Sequence, residues 1–99
     1  MNRVAFETYL CDYLRPNGVH LTATAIATRL RKAEDAEVVL GHSLDLSVAT
    51  DPQMRTDLVT LRTNNAHELR YGQMQNALRK YYHMVHGRSF PRLREVQGG

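Results

Sequence analysis

Residues Tyr71–Leu93 read YGQMQNALRKYYHMVHGRSFPRL, and their apolar side chains recur with the period of a helix. Tyr71, Met74, Leu78, Tyr81 and Val85 follow one another at intervals of 3, 4, 3 and 4, which places them on one stripe suited to burial. The opposite stripe carries Gln73, Asn76, Lys80 and His83, with Arg79 beside it. Amides and imidazoles can hydrogen-bond base edges, cations can neutralise phosphates, and a helix is narrow enough to enter a major groove. Gly87 supplies a stop and Arg88 begins a basic tail. Phe90 and Leu93, around Pro91, are placed to fold that tail back onto the body.

Charge is concentrated in the same region. From Arg70 onward six basic residues stand against Glu95 alone, a net +5, whereas residues 1–69 carry seven basic and nine acidic residues, a net −2. Such asymmetry describes a local basic patch rather than a uniformly cationic protein, and a patch is what a phosphate backbone requires. The helix dipole also favours cations near a helix C-terminus, so part of the pattern has a purely structural source. Residues 34–57 are the counterpart, with six acids against Arg55.

Upstream, three more helices are expected and no strand. The first spans about residues 3 to 15, with Phe6, Tyr9, Leu10, Tyr13 and Leu14 at helical spacing, and Pro16-Asn17-Gly18 ends it. The second opens near Leu21-Thr22, where threonine can cap the first turn. It runs Ile26, Leu30, Ala33 and Leu40 down one side and stops at Gly41. Its outer stripe is Thr24, Thr28, Arg31 and Asp35, flanked by Lys32. Residues 42–50 alternate at Leu44, Leu46 and Val48, but with no second strand to pair they read as a loop whose leucines dock on the core. The third helix begins with Asp51 as N-cap and Pro52 in its first turn, continues through Met54, Leu58 and Leu61, and exits at Asn64-Asn65. Glu34, Asp35 and Glu37 read as a solvated face.

Ninety-nine residues make one domain with one modest core, taken as residues 1–94 with a flexible tail over 95–99. No segment approaches the roughly 18 consecutive apolar residues of a membrane span, and the opening residues are no signal peptide, so a cytoplasmic protein without membrane contact is expected. The single cysteine, Cys11, has no partner for an internal disulfide and reads as a small core or boundary residue. Tyr71, Tyr81 and Tyr82 resemble nucleophiles only if their helical spacing is ignored; on the wheel they belong to the core or its border. His83 and His86 are three apart, yet no third or fourth ligand stands at a recognisable spacing, and no phosphate loop or Cys-x-x-Cys is present. No catalytic group, metal or cofactor is therefore expected.

The order of an aromatic-rich first helix (FETYLCDYL), a second opening LTATAIATRLRKAE, a short third and a last reading MQNALRKYYHMVHG resembles the core-binding domain of tyrosine recombinases and phage integrases, also called the SAM-like N-terminal integrase domain. The resemblance covers residues 4 to 93. It implies a four- or five-helix orthogonal bundle active in DNA recombination and integration, clamping duplex DNA through its second and last long helices. On this chain the contacts it implies fall on Thr24, Thr28, Arg31 and Lys32, and on Gln73, Asn76, Arg79, Lys80 and His83, with Arg88 following in the basic tail. In that family the catalytic groups belong to a larger C-terminal domain, and this chain stops where the linker to it would start. The expectation is a non-catalytic DNA-binding module. The alternative is a small stand-alone adaptor or inhibitor that uses the same surface for a protein partner, a reading the acidic residues 34–57 favour.

Overall fold

Thr22 shows how sequence becomes structure here: its hydroxyl accepts the Ala25 amide at 3.1 Å and starts an 18-residue helix that Gly41 ends in the left-handed conformation. In the computed structural model, which describes residues 1–13, 17–63 and 72–91, the chain is an all-α bundle of five helices. They are α1 (Arg3–Asp12), α2 (Ala23–Leu40), α3 (Leu44–Ser47), α4 (Asp51–Thr63) and α5 (Gln73–His86). No strand is formed among the described residues. None of the helices is long and apolar enough to cross a membrane.

One core joins all five helices. Phe6 and Leu10 of α1, Leu30 of α2, Leu44 of α3, Leu58 and Leu61 of α4 and Leu78 of α5 are buried together. The long helices α2 and α5 form the central pair, and the buried Ala33, Ala36 and Ala77 add little bulk between helices. Aromatic edges complete the packing: Phe6 meets Tyr81 edge-on at 5.3 Å, and Phe90 meets Tyr82 at 5.2 Å, so the segment after α5 does fold back.

Several expectations need correction. Residues 42–50 are not a plain loop: Ser43 caps the single turn α3, which buries Leu44 and leaves Leu46 51% exposed, because a helical turn turns alternate residues away from one another. The cap of α4 is Thr50, whose hydroxyl accepts the Gln53 amide, and Asp51 is the first helical residue. Helix α1 stops at Asp12, with Tyr13 already extended. Ile26 and Leu40 are only half-buried, and Ala36 takes their place in the core. Val85 is 49% exposed although it lies on the buried face of α5, because periodicity gives a direction and not the reach of the covering elements. Cys11 is exposed, facing away from the α1 core side. The readings placed on Leu14, Pro16, Asn64, Asn65, Tyr71 and Leu93 lie outside the described residues.

Candidate functional site

The polar face of α5 forms one wall of an open groove of about 690 Å³. Asn76, Arg79, Lys80 and His83 line it, joined by Tyr9 of α1, Tyr13 just after that helix, Arg62 from the last turn of α4, and Ser89 and Phe90 after α5. Among the described residues three cations and no carboxylate share this lining. A concavity of this composition has the charge that attraction of an anion requires.

Each wall is built by specific contacts. Arg79 Nη1 donates to the carbonyls of Phe90 and Pro91 at 2.9 and 3.3 Å, so this guanidinium fastens the chain after α5 as well as charging the groove. Lys80 Nζ stands 4.2 Å above the Tyr13 ring, which holds the ammonium at the mouth. Tyr9 Oη lies 2.7 Å from His83 Nδ1. Burial, with a smaller contribution from Tyr13, pushes the Tyr9 phenol up to about 12, so it stays protonated at any physiological pH. Gln75 closes the inner edge by donating its amide to the Leu58 carbonyl at 2.9 Å.

The ten residues singled out in the sequence do not share one place. Asn76, Arg79, Lys80 and His83 meet in the groove. Arg31 lines a second groove of about 530 Å³ on the other flank of α1, where Arg3, Glu7 and Glu34 share the lining and Arg3 pairs with Glu34. Thr24 and Thr28 are exposed on α2, the Thr28 hydroxyl donating to the Thr24 carbonyl at 2.9 Å, and Lys32 is half-buried. Gln73 begins α5 without reaching the groove, and Arg88 sits 3.9 Å from Asp51 with its guanidinium over the Tyr82 ring. Tyr9, Tyr13, Arg62, Gln75 and Ser89 joined the groove unannounced. The only cue in the sequence was Arg62 in the last turn of its helix.

Of Glu34, Asp35 and Glu37, read as a solvated face, Glu34 is exposed and Glu37 is not a free surface acid. Glu37 Oε2 accepts the Met1 amine at 2.7 Å and the Leu44 amide at 2.9 Å, so Glu37 is part of the fold. Burial works against its charge, but the amine and the Leu44 N–H outweigh it and hold the carboxyl below its usual value. Asp45 accepts the Tyr81 hydroxyl, whose hydrogen bond is the main cause of its lowered pKa, and the same hydroxyl accepts the Asn2 amide at 2.8 Å. Tyr82 donates to Asp51 at 2.9 Å, so both tyrosines are buried structural groups.

Two arrangements superficially resemble reactive centres. His42 contacts both buried Ser47, at 3.1 Å, and buried Asp57, at 2.8 Å, but both reach the same Nε2 atom. A catalytic relay needs the two partners on opposite ring nitrogens, so this trio ties α3 to α4 instead. His83 and His86 diverge: His83 turns to Tyr9, and His86 Nε2 donates to the Val48 carbonyl at 2.7 Å. No family model, curated protein or solved structure matches the chain.

Proposed function

We propose that this domain is a non-catalytic module that binds duplex DNA, with the groove beside α5 facing the phosphate backbone. The observation that carries this reading is the groove lining: Arg62, Arg79 and Lys80 converge there with no carboxylate among the described residues, while Glu37, Asp45, Asp51 and Asp57 are hydrogen-bonded to other parts of the fold. Asn76 stands exposed in the same lining, able to read a base edge. Thr24, Thr28, Arg31 and Lys32 of α2 make a second, weaker strip, since Arg31 alone of them lines the second groove and Glu7 and Glu34 there partly cancel its charge. The resemblance to recombinase core-binding domains points the same way.

The test is a fluorescence-anisotropy titration with a labelled duplex. With some four to six phosphate contacts, raising salt from about 50 to 200 mM should weaken binding on the order of a hundredfold or more. The Arg62→Ala/Lys80→Ala pair should flatten the salt slope by about two contacts, and Arg31→Ala should flatten it less. Asn76→Ala should lower preference for a cognate site by about 1 to 3 kcal/mol while sparing nonspecific affinity. No binding at low salt refutes the proposal and leaves the protein-adaptor reading in its place.

A further inference from the structure

We propose that His83, oriented by Tyr9, is a pH-dependent phosphate contact, so that the groove binds nucleic acid more tightly as the imidazole gains a proton. This deepens the DNA-binding reading and rests on it.

The proposed arrangement assigns the tautomer. Tyr9 keeps its phenolic proton and lies 2.7 Å from His83 Nδ1, and in this arrangement its hydroxyl donates to that nitrogen when the imidazole is neutral. The ring proton then resides on Nε2, which meets no partner among the described residues on a side chain that lines the groove. Neutral His83 thus offers one N–H donor to an anion. Protonated His83 offers the same donor with a full positive charge, while Nδ1–H donates to Tyr9 Oη and the phenolic proton turns away.

Beside His83 the groove is lined by Tyr9 of α1, Tyr13 just after it, Arg62 of α4 and Arg79 and Lys80 of α5, with no carboxylate among the described residues. A phosphate seated there supplies the counter-charge of an imidazolium, so binding and protonation favour each other, as linkage requires. The other described histidines are placed differently: His42 is held by Asp57, His86 by Val48, and His20 is exposed outside the groove.

The experiment measures affinity for a duplex carrying a pH-insensitive rhodamine label, at constant ionic strength, between about pH 8 and 5.5. The wild type should gain roughly tenfold as pH falls, with a salt slope steeper by about 0.9 at the acidic end, the signature of one added phosphate contact. His83→Gln should bind with nearly pH-independent affinity. Tyr9→Phe should weaken binding at the alkaline end, where the locked donor matters, and keep the acidic gain. Long-range nitrogen–proton correlation NMR of the free wild-type protein should show the Nε2–H tautomer, a readout that needs no variant. Salt-dependent binding without a pH dependence, an unchanged pH slope in His83→Gln, or an Nδ1–H tautomer would each overturn the proposal while leaving DNA binding intact. Absence of binding at every pH would remove both.

Discussion

Leu78 and Lys80 are two residues apart on α5 and do opposite work. Leu78 is fully buried where α5 meets the rest of the bundle, while Lys80 stands half-exposed over the Tyr13 ring. Leu78→Ala removes packed methyl groups and leaves a cavity, so denaturant unfolding should show a loss of about 2 to 5 kcal/mol. Lys80→Ala removes a single cation–π contact at the surface, a change of roughly 0.5 to 1 kcal/mol. The reverse order would mean that the two faces of α5 are misassigned.

At the scale of the element, helix ends are set by local chemistry and helix faces by what covers them. Thr22 and Gly41 bracket α2, the longest helix and one of the central pair. Thr22→Ala deprives the Ala25 amide of its acceptor and should cost about 0.5 to 2 kcal/mol, visible as a lowered melting temperature in circular dichroism. An unchanged melt would show that water replaces the cap without loss. The one-turn α3 is different, being too short to persist by its own hydrogen bonds. Its position depends on the Ser43 cap, the buried Leu44 and the His42 link to Ser47 and Asp57.

Across the whole molecule, charge is sorted into a hydrogen-bonded network and an open groove. The network draws the Met1 amine before α1 together with Glu37 of α2, Ser43 and Asp45 at the start of α3, and Tyr81 of α5. Burial opposes the amine's charge, yet Glu37 and Asp45 raise its pKa above the ordinary 8.0. Glu37 and Asp45 themselves fall below their ordinary 4.5 and 3.8. The lowered carboxyls add stability that is present above those ordinary values and is lost as pH falls through the lower folded ones. The raised amine adds stability that is complete below 8.0 and is lost as pH climbs through its folded value. The melting temperature should therefore hold a plateau between about pH 4.5 and 8.0 and decline on both sides. Glu37→Gln should flatten both declines; equal declines in this variant would place the linkage elsewhere.

The amino-acid sequence by itself determined the all-α class, the start and stop of α2, the stop of α5 and the core residues Met54, Leu58, Leu61, Met74 and Leu78. Each follows from short-range facts: a threonine reaches amides three residues on, a glycine admits a left-handed turn, and the 3.6-residue period assigns a face. It also placed Gln73, Asn76, Lys80 and His83 on one stripe with Arg79 beside it, because neighbours on a helix surface are set by spacing alone, although Gln73 does not reach the groove. Only the tertiary structure decided that Arg62, Tyr9 and Tyr13 join that stripe while Arg31 falls on the other flank of α1. It alone brought the acids Glu37, Asp45 and Asp57 to partners on other elements, and it left Val85 and Cys11 exposed. These outcomes depend on which elements stand side by side and how far each one extends, and contacts between residues tens of positions apart leave no mark on local periodicity or composition.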